Sequence, residues 1–149
     1  MKYTIEQISN GEDELILRYQ SLTKEVERIL SFMNTSQRKL IGLRGNTQVV
    51  IDISQILYIE SVDRKNFVYT VNDVFQIEYS LTQMERILNT VNYFRCSKSM
   101  IINIDKIMEL KSLASNRIDA TLCNGEHIII SRTYASEFRK RLKGGDDNE

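Results

Sequence analysis

The chain has 149 residues, 42% of them hydrophobic and 27% charged, which is typical of a globular domain that builds its own core without metals or disulfides. No apolar run approaches the roughly 20 residues of a membrane-spanning helix, and the polar N-terminus does not resemble a signal peptide, so we expect a cytoplasmic protein. A formal net charge of zero excludes a uniformly basic nucleic-acid-binding chain.

The charge is nevertheless unevenly distributed. Residues 1–36 carry 4 basic and 6 acidic side chains, residues 37–143 carry 16 and 11, and residues 144–149 carry three acidic ones. A basic body between acidic ends is compatible with phosphate binding. We therefore predict three segments: an N-terminal extension over 1–36 for regulation or dimerisation, a basic body over 37–143, and an acidic disordered tail over 144–149.

The N-terminal segment predicts a β-hairpin followed by an amphipathic helix. Residues 2–8 and 14–19 alternate apolar and polar side chains as half-buried strands do, and Asn10 and Gly11 supply a turn between them. Thr23 is the predicted N-cap of the helix, and apolar residues recur after it at helical spacing. Because so small a unit is not stable alone, we expect it to pack against the body or a second subunit.

The body predicts many short strands and two helices. The predicted strands span residues 39–44, 48–53, 56–61, 67–71, 74–79, 93–96, 100–102, 107–110, 117–122 and 126–130. Ser80 and Gln83 match a capping box, which opens a helix with an apolar stripe that reaches Val91. The last helix is predicted from about residue 133 to residue 142, before Gly144.

No enzyme chemistry, metal site or cofactor site is predicted. The single histidine, His127, lies in a predicted strand, where a solvent-facing or cross-strand role is the expected one. The chain has no glycine-rich phosphate loop and no His, Cys and Asp cluster with metal-ligand spacing. A hydrolase using Ser97 or Ser131 is the least favoured alternative because no base accompanies either serine.

One candidate binding stretch covers residues 94–107. Arg95, Ser97, Lys98 and Ser99 are compressed into five positions just before an apolar strand. Cations and short hydroxyl side chains in a loop are suited to holding phosphate oxygens. An ordinary solvated loop between strands has the same composition, and these residues alone do not separate the two interpretations.

The second candidate stretch covers residues 124–134, where a predicted hairpin strand runs directly into a helix. Ser131 is the expected N-cap, which leaves Arg132 in the first helical turn. Arginine is slightly unfavourable there because the N-terminus of a helix carries partial positive charge. Its position indicates an anion or base-edge partner. The alternative is a surface arginine paired with Asp105 or Glu137.

Together these stretches resemble the LytTR family of DNA-binding domains. The family has an aromatic-Arg-x-His-x-Ser block that ends in two apolar residues and Asn, and residues 94–103 are similar to it. An Asn-Gly hairpin and an apolar-Ser-Arg-x-Tyr block follow, matched by residues 124–125 and 130–134. Residues 52–60 resemble the upstream Asp-Ile-x-Tyr-Ile-Glu strand. The resemblance covers residues 38–142.

The resemblance implies a mostly β, α+β fold: short antiparallel sheets with two or three helices, in which loops contact successive major grooves of paired direct repeats in promoter DNA. By position, Arg132 is the candidate base reader. Other candidate contacts to phosphate or groove edges are Lys98, Ser97, Ser99 and Arg95, and the loop that holds Asn116 and Arg117 is a third candidate element.

The chain departs from the family pattern at Ser97, where the family usually has histidine, so a histidine base contact does not carry over. The Ser-Lys-Ser version resembles stand-alone LytTR transcription regulators that lack a receiver domain. That resemblance implies a homodimer on DNA and a small membrane regulatory protein as a further partner. The alternative function is a protein-interaction module that binds such a partner through its N-terminal segment.

Overall fold

The structure is a computed structural model that describes residues 1–35, 39–88 and 92–143. The helices in these ranges are α1 (Lys24–Thr35), α2 (Leu81–Leu88) and α3 (Arg132–Leu142). The strands are β1 (Lys39–Arg44), β2 (Thr47–Asp52), β3 (Tyr58–Val62), β4 (Lys65–Tyr69), β5 (Val74–Ile77), β6 (Tyr93–Ser97), β7 (Met100–Asn103), β8 (Ile107–Leu113), β9 (Arg117–Leu122) and β10 (His127–Ile130). Short 3₁₀ turns precede β3, β8 and β9.

The strands form two sheets in which every pair is antiparallel. Seven strands lie in the order β2-β1-β5-β4-β3-β7-β6, and three lie in the order β10-β9-β8. Over the described residues the fold is therefore mostly β with three helices, as the sequence predicted.

The large sheet has a core on each face because neighbouring residues of a strand point in opposite directions. In β3, Ile59 packs into the core shared with α2, while Tyr58 packs into the core shared with the small sheet and α3. In β7, Ile101 packs into the core shared with α2, and Ile102 packs into the core shared with the small sheet and α3. The segments at the ends of these strands are thus fixed from both sides.

The predicted elements of the body are confirmed, with shifts of up to three residues at the ends that the structure describes. The capping box is formed in both directions: the Gln83 amide donates to Ser80 Oγ at 3.0 Å, and the Ser80 amide donates to Gln83 Oε1 at 2.8 Å. Helix α1 also begins as predicted, since the Val26 amide donates to Thr23 Oγ1 at 3.2 Å.

The N-terminal hairpin is wrong as a prediction. Residues 1–22 bend at residues 9–11 but form no strand, and the apolar side chains of both arms are exposed except for the half-buried Leu17. An isolated two-stranded hairpin is marginal in water, and here neither sheet covers its apolar face. Helix α1 does contact the rest of the chain, since Val26 is buried and Phe32 lines a cleft together with Tyr93 and Asn103.

The predicted boundary between residues 36 and 37, the end of the α2 stripe at Val91, and the acidic tail over 144–149 lie outside the described residues.

Candidate nucleic-acid interface

The turn between β6 and β7 contains three of the predicted contact residues. Strand β6 ends at Ser97 and β7 begins at Met100, so Lys98 and Ser99 form the exposed tip. The Ser99 amide donates to Ser97 Oγ at 3.2 Å, which closes the turn locally. The Lys98 ammonium has no hydrogen-bond or ion-pair partner among the described residues, so its charge is available to a ligand.

Arg95 has a different role in the structure from that of Lys98. Its Nε donates to the Ser97 carbonyl at 2.9 Å, its Nη2 donates to the Lys98 carbonyl, and its Nη1 pairs with Glu85 Oε1 at 2.6 Å. The guanidinium is thus used to hold the turn from behind. The predicted direct contact of Arg95 with DNA stays a prediction, and the geometry favours a supporting role.

The start of α3 lies beside this turn. The Ser131 amide donates to the Cys96 carbonyl at 3.0 Å, which joins the two stretches that the sequence singled out. Ser131 is the N-cap residue by position, but its side chain makes no capping hydrogen bond. Arg132 is exposed and has no partner among the described residues, so the alternative pairing with Asp105 or Glu137 is not formed.

The turn before β9 lies next to the start of α3. Ile118 in β9 is opposite Ile130 in β10, which brings Arg117 close to the end of β10. Asn116 has a left-handed backbone (φ 57°), and its Oδ1 accepts a hydrogen bond from Arg139 Nη1 at 2.6 Å. The Asn116 amide nitrogen is left to donate outward. Arg117 is exposed and donates from Nε to the Ala114 carbonyl at 3.2 Å.

Sequence reasoning missed a fourth element, the turn between β3 and β4. Asp63 and Arg64 both have left-handed backbones (φ 52° and 66°), which makes a tight hairpin and exposes Arg64 and Lys65. The Ser61 amide donates to the Ser99 carbonyl at 2.8 Å, so this hairpin adjoins the β6–β7 turn. The available signal was an Asp followed by two cations between two predicted strands, without the usual Asn-Gly pair.

These four segments are called the contact surface below: residues 62–65, 97–99, 114–117 and 131–132. It carries the side chains of Arg64, Lys65, Lys98, Arg117 and Arg132 against the single acidic residue Asp63. Backbone hydrogen bonds or strand pairing join each segment to the next, so the cations are held on one scaffold. Such a surface can bind a polyanion at several points.

The remaining titratable groups have structural roles. His127 pairs across the strands with Asp119 at 3.0 Å on an exposed face. Burial raises the pKa of the Cys96 thiol to about 12, while Cys123 is exposed, and both cysteines are free. Within the described part of the chain, no group of three or more His, Cys, Asp or Glu side chains could hold a metal ion. In those same ranges, no helix has the length and apolar character needed to cross a membrane.

Comparison with known proteins gives a consistent result. The sequence model of the LytTr DNA-binding domain matches residues 46–143. The chain is 30% identical over 95 residues to the sensory transduction protein LytT of Bacillus cereus, a match that covers 64% of this chain and 39% of that protein. It is 28% identical over 110 residues to the transcriptional regulatory protein YpdB of Escherichia coli, with 72% and 45% covered.

A solved structure has the same fold. The LytTr DNA-binding domain of a putative methyl-accepting/DNA response regulator from Bacillus cereus superposes with a TM-score of 0.67 at 27% identity, covering 70% of this chain and 95% of that one. The chain spans 39% to 54% of the length of the LytT proteins from Bacillus cereus and Bacillus subtilis, so the match to these relatives concerns one part of each.

Proposed function

The chain belongs to the LytTR family of DNA-binding domains, and from that premise we propose that it is a sequence-specific, cytoplasmic transcription regulator. Its contact surface would insert loops into the major grooves of direct repeats in promoter DNA. The observation that carries this proposal is the hydrogen bond between Ser131 and Cys96, because it joins the two segments that carry the unpaired cations Arg132 and Lys98.

Arg132 is proposed as the base reader. It begins α3, so its backbone direction is fixed by the helix and by the Ser131 hydrogen bond. A planar guanidinium carried on such a backbone can donate two parallel hydrogen bonds to guanine O6 and N7. In this respect Arg132 differs from Lys98, whose flexible stem and single ammonium are suited to a phosphate.

The other predicted residues divide into contacts and supports. Ser97, Ser99 and Lys98 would bind phosphate oxygens at the β6–β7 turn. Asn116 would donate its free amide N–H to a groove edge while Arg139 holds its carbonyl. The exposed cations of the β3–β4 turn and Arg117 would add phosphate contacts on either side.

The affinity is expected to be strongly salt-dependent because released counterions drive the binding of basic side chains to DNA. Lys98→Ala should weaken binding to specific and random DNA alike and make the plot of log K against log salt shallower. Affinity that does not change with salt would remove this part of the proposal.

The experiment that tests the proposal is a titration of the protein with two DNA duplexes at one salt concentration. One duplex is selected by the wild-type protein from a random pool, and the other is its scrambled version. Arg132→Ala should cost about 1–3 kcal/mol on the selected duplex and much less on the scrambled one. Arg132→Lys should restore only part of the loss, because an ammonium lacks the planar fork.

Arg86→Ala is the matched control, since Arg86 is an exposed arginine on α2, outside both the contact surface and residues 1–22, and its loss changes the net charge equally. If Arg132→Ala weakens both duplexes to the same extent, Arg132 is a phosphate clamp and specificity lies elsewhere. If Arg132→Ala behaves like Arg86→Ala, the role proposed for Arg132 is wrong.

Direct repeats imply two copies of the chain on one promoter, and we propose that residues 1–22 mediate this homodimer. The support is the row of exposed apolar side chains in that segment, including Tyr3, Ile5 and Leu15. The family resemblance adds a small membrane regulatory protein as a second partner for the same segment. Deleting residues 1–22 should leave binding to one repeat intact and abolish cooperative binding to two, as measured by titration of one-repeat and two-repeat duplexes.

A further inference from the structure

The guanidinium of Arg95 connects helix α2 to the β6–β7 turn. It lies just before an irregularity in the strand pairing between Arg95 and Ser97, where the ladder with β7 shifts register. Two of its nitrogens donate to carbonyls of the turn, those of Ser97 and Lys98, and a third donates to the Glu85 carboxylate. A side chain thus supplies hydrogen bonds to the turn where the strand pairing is irregular, so the shape of the turn depends on where that side chain is held.

Glu85 fixes the position of the guanidinium. An arginine side chain has several rotatable bonds, and two carbonyl acceptors do not balance its charge. The Glu85 carboxylate supplies that balance at 2.6 Å, and the helix that carries it is anchored by the buried residues Met84 and Leu88. The pair is only partly exposed, with 22% of the Arg95 side chain and 45% of the Glu85 side chain open to solvent.

We propose that Glu85 is a positioning residue for DNA binding: through Arg95 it holds the β6–β7 turn in the shape that presents Lys98 and the two serines to DNA. This inference rests on the proposed function. Glu85 itself lies on α2, which packs on the opposite face of the large sheet from α3.

The direction in which DNA affinity changes when the Glu85 charge is removed separates a positioning role from simple electrostatics. Glu85→Gln removes a negative charge from a protein that binds a polyanion, so Coulomb's law alone predicts equal or tighter binding. Loss of positioning predicts weaker binding, by about fivefold on the selected duplex, which is within the usual range of coupling between contacting residues. Glu78→Gln is the matched control because Glu78 is exposed just before α2 and has no partner among the described residues.

The experiment measures DNA affinity for wild type, Glu85→Gln, Glu78→Gln, Arg95→Ala and the double variant Glu85→Gln/Arg95→Ala over a range of salt concentrations. We expect Glu85→Gln to weaken binding at each salt concentration, because the β6–β7 turn no longer presents Lys98 and the two serines in the binding shape. In the Arg95→Ala background, Glu85→Gln should have no further effect. Urea unfolding of the same variants checks that the affected protein is folded.

A second readout needs no DNA. The backbone amide resonances of residues 97–99 in the free protein should shift in Glu85→Gln and stay in place in Glu78→Gln. Unchanged turn resonances, or Glu85→Gln binding as tightly as Glu78→Gln, would overturn the positioning role while leaving the proposed function standing. A wild-type protein that selects no DNA, with shifted turn resonances in Glu85→Gln, would overturn the proposed function and leave Glu85 holding the turn for some other purpose.

Discussion

Residues 2–19 and the strands of the large sheet carry the same alternation of apolar and polar side chains, but only the strands form a ladder. Tyr3 and Ile5 are 84% and 91% exposed, whereas Leu40 and Ile59 are 4% and 0% exposed. The difference lies in what is available to cover each face. Helix α2 and the small sheet cover the strands, while residues 1–22 have no such layer over them. Alternation thus predicts a strand only where a second layer can bury one face.

The largest expected effect on stability comes from removing a large side chain from the buried core. Phe138 is fully buried between α3 and the sheets, with its ring centroid 5.4 Å from that of Phe94. Phe138→Ala should lower the free energy of unfolding by about 3–5 kcal/mol, measured by urea denaturation. The matched aromatic residue in the exposed N-terminal segment is Tyr3. Tyr3→Ala should change the free energy of unfolding by less than about 0.5 kcal/mol. A large loss for Tyr3→Ala would mean that residues 1–22 are packed in solution.

The close packing of the large sheet should also resist a single added methyl group. A Cβ at Gly42 in β1 would lie 2.5 Å from Ile51 Cδ1 and 3.0 Å from Phe75 Cβ. Gly42→Ala should therefore cost about 1–3 kcal/mol of unfolding free energy. Ile51→Val removes the nearest atom, so the cost of Gly42→Ala should be smaller in that background. Equal costs in both backgrounds would show that the strain lies elsewhere.

Helix caps give a smaller effect that differs between the two regions. Ser80→Ala breaks the capping box of α2, which lies on the core, and should lower global stability by about 1 kcal/mol. Thr23→Ala removes the corresponding bond of α1, which follows the exposed Leu22 and carries the exposed Phe32. It should mainly speed hydrogen exchange in the first turn of α1. Equal losses of global stability would show that α1 is part of the cooperative core.

The body of the fold could be predicted from sequence because its signals are local. The capping box at Ser80 and Gln83 and the Asn124-Gly125 turn set element ends through nearest neighbours. Whether a hairpin forms over residues 2–19 could not be predicted in the same way. It depends on a second layer that covers the apolar face, and periodicity does not reveal that layer.

The contact surface was predicted in part for the same reason. Arg132 and Lys98 lie in sequence motifs that the family shares, and the Ser131 hydrogen bond joins the two segments that carry them. Arg64 was missed because its importance comes from the pairing of β3 with β7, a contact between distant parts of the chain. The pairing of Arg95 with Glu85 could not be predicted either, since the two residues lie ten positions apart on two different elements.

The last prediction concerns pH and uses Cys96, which is buried under the small sheet and α3. Burial raises the pKa of its thiol from the ordinary value of 9.0 to about 12. Between these values the unfolded chain loses the proton and the folded chain keeps it, so the free energy of unfolding falls as the pH rises above 9. Below pH 9 this group makes no difference.

The measurement is urea denaturation at pH 8 and pH 10 for wild type, Cys96→Ala and Cys123→Ser. Burial also raises the pKa of Tyr58 and Tyr69, so every variant loses some stability at the higher pH, and the informative quantity is the difference between variants. Cys96→Ala should lose less stability than wild type over this range, whereas Cys123→Ser, which alters an exposed thiol, should lose as much as wild type. If Cys96→Ala and wild type lose the same stability between pH 8 and pH 10, water reaches the thiol in solution. The core shared with the small sheet and α3 is then more open around β6 than its packing indicates.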